Sequence, residues 1–334
     1  MREPLSIALI SGCSPPGSCG IDDYTSKLAA SLPSDLLTVN HYRVGGVNDA
    51  IRFIKTFPTE KFFHFQYPTA SWRTSITPIL LVSISRLLKK KIFLTLHEYS
   101  RVHPLRRLIS LALITLVDVC LVTTEFEKHQ LKSNWLVNKQ IVTVPIGTNI
   151  TPRRVVRGST KNRVGLVFFG ILAPQKGLEA FLRVVSSLSL EYPITVIGTM
   201  AKGYEAWAED IQRANPNVTF KLGLPDYKVS EELQNAQIAY LPFPVGISER
   251  SGTALAAIAH GLQLVTTEGA ATLEAHKKIS HIARDEATAA LIIESLIENK
   301  LEFKNPALYT NYLRERRWSF IALKHNEIYQ KENV

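Results

Sequence analysis

The stretch AYLPFPVGISERSGTALAAIAHGLQLVTTEG, Ala239 to Gly269, decides how this chain is read. The apolar run through Leu241 reads as a strand, and the Pro- and Gly-bearing segment after it cannot continue one. Small residues from about Gly252 read as a helix, and Gln263–Thr267 as a second strand. Ser251, Gly252 and Thr253 fall where that helix begins. The first turn of a helix has amide groups without partners and carries partial positive charge, which suits phosphate. Gly252 admits a ligand close to the backbone, the two hydroxyls add hydrogen bonds, and Arg250 offers a planar fork matched to phosphate oxygens. The competing reading is a Ser N-cap on an ordinary helix.

Working outward, the same alternation fills the chain. In the first half, Leu5–Ser11, Leu37–Arg43, Phe62–Gln66, Ile92–His97, Asp118–Thr123 and Ile141–Val144 read as strands. Helical patterns fall between most of them, clearest at Tyr24–Leu32, Ile79–Leu88, Pro104–Leu116 and Glu125–Asn134. The polar, basic stretch 151–163 has no apolar period and reads as a linker. Beyond it, strands are expected at Val164–Phe169, Ile194–Gly198, Val218–Leu222, Ile238–Leu241 and Leu264–Thr267. Helices are expected at Gly177–Leu188, Tyr204–Ala214, Ser230–Gln234, Gly252–His260 and Glu286–Asn299, and one long helical segment at about Ala307–Gln330. This predicts an α/β chain of two doubly wound, Rossmann-like domains, 1–150 and 164–313, with ligands beyond the carboxyl ends of the strands.

The 334 residues suffice for two cores, and 46% hydrophobic with 20% charged residues describes an ordinary globular protein. Met1 leads almost directly into LSIALISG without a signal-peptide pattern, and the longest apolar run, Leu108–Val122, is interrupted by Asp118 and too short for a bilayer. Cys13, Cys19 and Cys120 have no CxxC spacing, and nine histidines show no ligand spacing. A cytoplasmic protein with reduced thiols and without a metal is the expectation. The net charge of +10 concentrates at residues 86–107, where Arg86, Lys89, Lys90, Lys91, Arg101, Arg106 and Arg107 face a single acid, Glu98. Such a run suits an anionic membrane or acidic glycan, or is a solvated basic face. No nucleic-acid motif or interleaved aromatic platform accompanies it, so nucleic acid is not expected as a partner.

Three further places can carry chemistry. The loop GCSPPGSCGIDDYT, Gly12–Thr25, leads from a strand into a helix with Asp22 and Asp23 near its start; it lacks the dinucleotide fingerprint and is also satisfied by a capped turn. His97 and Glu98 end the fourth strand, where His97 can bond a sugar hydroxyl or carry a proton, or be a backbone-bonded core residue. Lys176 stands near a helix start, where an ammonium can neutralise a departing diphosphate, although most isolated lysines are surface residues.

Together these segments resemble the GT-B nucleotide-sugar glycosyltransferases, most of all glycosyltransferase family 4. The resemblance spans nearly the whole chain. It runs through the glycine loop with Tyr24, His97-Glu98, PIGTNI (145–150), FFGILAPQKG (168–177), FKLGLPDYKVSEEL (220–233), ALAAIAHGLQLVTTEG (254–269) and RRWSFIALKHNEIY (316–329). It implies a donor held by the second domain, an acceptor held by the first, a cleft between them, and a final helix, about 314–334, crossing back to the first domain. Carried over, Lys176 contacts the donor diphosphate, His97 lines the sugar site, and Gly17 and Gly20 lie in a loop closing over the reaction centre. Gly170, Arg250, Ser251, Gly252 and Thr253 join the donor site, Glu249 joins His97 and Lys176 as a catalytic candidate, and Asp23, Tyr24 and Glu98 fall on the acceptor side or its loop. Three positions depart from the family: Ile171 replaces a customary arginine, and Ser248 and Ala256 replace two glutamates. Arg250 is expected to take over part of the lost positive charge.

The expected activity is transfer of a sugar from a nucleotide donor to a glycan or lipid-linked acceptor in bacterial-type surface polysaccharide synthesis, with no cofactor beyond the donor. Peripheral membrane docking through the basic residues beside Leu105–Leu116 is expected with it. A sugar-nucleotide epimerase on the same fold, or an inactive GT-B binding subunit, are the alternatives.

Overall fold

The computed structural model describes residues 4–13, 20–72, 74–100, 102–152, 163–189 and 191–333. The chain divides into two compact units: unit 1 is Met1–Gly147 with Arg316–Val334, and unit 2 is Thr148–Glu315.

Unit 1 alternates strand and helix. Its elements are β1 Leu5–Ser11, α1 Gly20–Ser31, β2 Leu37–Arg43, α2 Val47–Lys55, β3 Phe62–Tyr67, α3 Thr77–Leu87, β4 Lys91–Leu96, α4 Pro104–Leu116, β5 Val119–Val122, α5 Glu125–Lys132 and β6 Ile141–Thr143. All six strands run parallel in the order β2-β1-β3-β4-β5-β6. Such a sheet is covered on both faces, which is why β3 (FFHFQY) is buried at every position. One face packs against α2, α3, α4 and α5, the other against α1 and a C-terminal helix. Local chemistry sets the helix starts. Pro104 occupies the first turn of α4 after His103, whose ring accepts the Leu105 amide at 3.2 Å, and Thr124 caps α5 by accepting the Glu127 amide at 3.0 Å.

Unit 2 repeats the plan with β7 Leu166–Leu172, α6 Leu178–Ser187, β8 Ile194–Met200, α7 Glu205–Ala214, β9 Thr219–Leu222, α8 Asp226–Asn235, β10 Ile238–Leu241, α9 Gly252–Ala259, β11 Gln263–Thr267, α10 Glu274–Ile279, β12 His281–Ala283, α11 Glu286–Ile297 and α12 Pro306–Arg314. The parallel order is β12-β11-β10-β7-β8-β9. Strand order therefore reverses between β1 and β3 in unit 1 and between β7 and β10 in unit 2. In each sheet the loops leaving those two strands depart in opposite directions, opening a crevice at the carboxyl ends.

The elements around Ala239–Gly269 stand where the sequence predicts them; α2, α10 and β12 are additional. Gly170 and Ile171, expected to open a loop, lie inside β7, because the pairing with β8 continues to Leu172↔Met200. The long terminal helix expected at about 307–330 is two helices, α12 and α13 (Trp318–Lys331), separated by extended backbone at Arg317. Nothing local breaks it: LRERRW has neither Pro nor Gly. Packing decides, since the chain passes from unit 2 to unit 1 at Arg316 and α13 lies against α1. There Trp318 covers Gly147, where even a methyl group would come within 2.6 Å of the indole. Deeper, His64 bonds Tyr329 at 2.6 Å and Thr95 at 2.7 Å, fixing α13 to the sheet. Among the described residues no helix is long and apolar enough to cross a membrane.

Candidate functional site

In unit 2 the crevice at the strand-order reversal is bounded by the loops after β7 and β10. Gly177 has φ +93°, and a Cβ there would stand 2.3 Å from the Pro242 carbonyl oxygen, so the 173–177 turn lies directly on the start of the 242–251 loop. That contact fixes the backbone carrying Lys176, whose side chain is exposed and makes no hydrogen bond or ion pair among the described residues. Gly170 pairs with Gly198 in β8, and a Cβ on Gly198 would meet the Gly170 oxygen at 2.0 Å. A Cβ on Gly170 would lie 3.7 Å from the Thr253 methyl, which brings the side-chain-free end of β7 beside the first turn of α9.

The loop before α9 is tethered from β11 and from the turn that follows it. Thr266 donates to the Leu241 carbonyl at 2.7 Å, Thr267 to the Phe243 carbonyl at 2.5 Å, and Thr272 to the Ile247 carbonyl at 2.7 Å. Ser251 does not act as a side-chain cap. Its hydroxyl accepts the Ser248 amide at 3.0 Å, folding the loop back on itself. Gly252 faces open space, Glu249 is buried, and Arg250 is half-buried and engaged. Two of the positions at which the sequence departs from the pattern it resembles differ in setting: Ile171 is 53% exposed, whereas Ala256 is buried within α9. The arrangement thus offers a helix N-terminus, hydroxyls, an exposed ammonium and a strip without side chains, which is chemistry suited to a phosphorylated ligand approaching the backbone.

In unit 1 His97 follows the last residue of β4 and is buried. Its Nε2–H donates to Gln66 Oε1 at 2.9 Å, and its ring meets Tyr24 edge-on at 4.8 Å; Tyr24 in turn rests 5.2 Å from Trp318. Burial pushes the Tyr24 phenol upward, keeping it neutral. Glu98 is half-buried and engaged, as is Asp23, while Gly20 begins α1. Gly17 lies outside the described residues, as do Cys19, Arg101 and most of the expected linker.

Several participants are invisible in the sequence. Glu127 accepts the Ser100 amide at 3.0 Å and its hydroxyl at 2.8 Å, holding the turn after His97. Gln66 Nε2, Tyr67 Oη and Thr69 Oγ1 at the end of β3 are buried without hydrogen-bond partners among the described residues. Asp22 anchors α1 to the sheet. It accepts from Arg43 Nε at 3.1 Å and from Ser11 Oγ at 3.1 Å, while His41 Nε2 lies 2.8 Å from that hydroxyl. Ser, His and Asp meet here, but the fully buried Ser11 hydroxyl sits between the other two, which is an anchoring geometry and not that of a nucleophile. The His41 imidazole is pushed down by burial and by the Arg43 charge, against the pull of Asp22.

The basic run is divided by the fold. Lys89–Lys91 precede or begin β4, whereas Arg106 and Arg107 follow its other end, about 20 Å away for a six-residue strand. Lys90 donates to the carbonyls of Pro58 and Glu60, Lys91 pairs with Glu332, and Arg86 pairs with Asp118. Among the described residues no cluster of His, Cys, Asp and Glu could hold a metal ion.

No protein-family model matches the chain, and no curated protein matches it in sequence. Solved structures do match in fold. Sucrose-phosphate synthase from Thermosynechococcus elongatus superposes with a TM-score of 0.75 at 14% identity, covering 98% of both chains. Anabaena HepE, solved with UDP, gives 0.73 at 11% identity over 98% of this chain and 100% of its own. The lipopolysaccharide outer core galactosyltransferase WaaB gives 0.69 at 11%, again over 98% and 100%. The architecture of this chain, two parallel six-stranded α/β units, is the GT-B fold of these glycosyltransferases.

Proposed function

We propose that the chain is a glycosyltransferase that moves a sugar from a nucleoside-diphosphate donor to a hydroxyl of a glycan or lipid-linked acceptor. The observation that carries this reading is the crevice of unit 2, where the first turn of α9 with Thr253 stands beside the glycine strip of β7 and β8, and the turn bearing exposed Lys176 rests on the loop that leads to α9. The fold adds support, since HepE of the same architecture holds UDP and UDP-glucose. In the reaction the acceptor oxygen bonds the anomeric carbon and loses its proton, while the carbon–oxygen bond to the diphosphate breaks and its electron pair leaves with the nucleotide. Lys176, Arg250 and the α9 terminus stabilise the negative charge that develops there. These cationic groups fill the role a metal would otherwise take, so the reading needs no cofactor beyond the donor.

Unit 1 is assigned the acceptor, through His97 and the buried polar edge of β3. A lipid-linked acceptor in surface polysaccharide synthesis, met at the inner face of a membrane, agrees with the basic surface and with the galactosyltransferase relative in fold. The exposed Ile171 in place of an arginine favours a second reading, a GT-B subunit that binds but does not turn over.

Calorimetric titration with nucleoside, monophosphate and diphosphate, on wild type and Arg250→Ala, tests the donor site. A charge-assisted bond is worth about 1.5–3 kcal/mol, so Arg250→Ala is expected to weaken diphosphate binding roughly ten- to a hundredfold while leaving the nucleoside unaffected. A wild type that gains no affinity as phosphates are added refutes the site. Diphosphate binding without sugar transfer to any acceptor, or release of an isomeric nucleotide sugar, selects the binding subunit or the epimerase.

A further inference from the structure

The outward surface of the α2–α3–α4 layer is unlike that of a helix layer facing only water. The three helices pack side by side, and their inner residues, among them Phe53, Leu81 and Leu113, enter one core. The opposite face of such helices is ordinarily polar. Here it carries Val47 and Ile51 on α2, Ile76 and Leu80 at the start of α3, and Leu105 and Leu108 on α4, with exposures from 39% to 69%. The α3 row continues to Leu87, which is 80% exposed. These chains belong to adjacent elements, and a gathering of this kind marks an interaction surface.

Its charge selects the partner. Neither TPILLVSISRL nor PLRRLISLALITL, the sequences of α3 and α4, contains an acid, and the only acid of α2, Asp49, has Arg52 at 3.6 Å. Lys55 and Lys89 stand at one end of the rows and Arg106 at the other. We propose that this three-helix face docks on an anionic lipid bilayer, the apolar side chains entering the headgroup boundary while the basic residues meet lipid phosphates. A second copy of the chain fits less well, because a two-fold contact sets the same basic ends against each other. The surface differs from the single stretch the sequence suggests: Lys90 and Lys91 are occupied elsewhere, and Val47, Ile51 and Ile76 come from outside it. The proposal agrees with a lipid-linked acceptor, but its test reads binding and not turnover, so either can fail without the other.

Flotation with vesicles of phosphatidylcholine alone, or mixed with phosphatidylglycerol, decides the matter. Wild type is expected to float with the mixed vesicles and to be released at high salt. Replacing Lys55, Lys89 and Arg106 by Gln is expected to weaken binding on the order of a hundredfold, about fivefold per basic residue. Ile76→Ser with Leu80→Ser and Leu108→Ser is expected to abolish flotation with an unchanged melting temperature; the Gln variant, confined to exposed or half-exposed cations, serves if the Ser variant misfolds. Equal binding to both vesicle types, binding to neither, or full retention by the Gln variant overturns the proposal. Sedimentation showing a dimer dispersed by the Ser replacements, with no vesicle binding, assigns the face to a second copy instead.

Discussion

Mild acid should unfold this protein through its buried histidines. Burial pulls the imidazoles of His260 and His281 in unit 2, and of His325 in unit 1, from the usual 6.5 down to about 4, and His64 is pushed well below its usual value for the same reason. For His260, burial and the nearby Arg163 charge hold the ring neutral against the opposing pull of the Ala256 carbonyl. His260 donates Nδ1–H to the Ala256 carbonyl at 2.7 Å and accepts from Ser230 at 2.9 Å. Above pH 6.5 such a histidine is neutral whether folded or unfolded, and contributes no pH dependence. Between pH 6.5 and 4 the unfolded chain takes a proton that the folded one refuses, so stability falls as pH falls, by about 1.4 kcal/mol per pH unit for each histidine. Across the full window that is about 3 kcal/mol each, and for His260 and His281 together about 4 kcal/mol by pH 5, a large part of a typical domain's 5–15 kcal/mol. Carboxylates held below their usual range, such as that of Glu286 beside Arg183, begin to matter only nearer pH 4.5. Urea unfolding followed by circular dichroism from pH 7.5 to 5 reads the slope. His260→Gln, whatever its cost at pH 7.5, should remove about 1.4 kcal/mol per pH unit from it. A flat wild-type profile, or an unchanged slope in the variant, refutes the reasoning.

Other outcomes follow from single contacts. Gly177→Ala combines a φ of +93° with a Cβ 2.3 Å from the Pro242 oxygen, and is expected to cost about 1–3 kcal/mol in thermal unfolding and to weaken diphosphate binding in calorimetry. His97→Ala should lower turnover more than nucleotide affinity; loss of nucleotide binding in a folded variant would place His97 elsewhere. Cys120 is buried with its thiol pushed up to about 12, so the native Cys13→Ser, Cys19→Ser variant should not react with a thiol reagent until unfolded.

Much of the fold could be read because parallel, doubly covered strands are short apolar runs and Pro or Gly marks their ends. The segment from Ile238 to Thr267 is legible for that reason, down to the start of α9. The residues gathered at the strand ends were visible as types, but not the contacts between strands. Gln66 reaches His97 only because β3 and β4 run in register, and Arg43 reaches Asp22 only because β2 lies beside β1. Ser251 has the composition of a cap, yet its hydroxyl serves the loop, whose backbone is held by the tethers from β11 and the turn after it. The basic run looked like one cluster because linear distance hides the length of β4. The break at Arg317 has no local signature, since Gly147 and the His64–Tyr329 bond that draw α13 aside are remote in sequence.

The division of unit 1 into two pieces of chain has a consequence for its biosynthesis. All six strands of its sheet have been synthesised once Gly147 is made, but α13, which covers the side of Phe62 and Phe93, comes only after the whole of Thr148–Glu315. At translation rates of about 5–20 residues per second the nascent sheet waits on the order of ten seconds with that side uncovered. Phe62 and Phe93 would be accessible throughout, making this interval the chain's point of greatest exposure to chaperones and to aggregation. A ribosome stalled before Arg316 should therefore carry a nascent chain whose β3 and β4 remain open to protease, and emergence of Arg316–Val334 from the exit tunnel should close them.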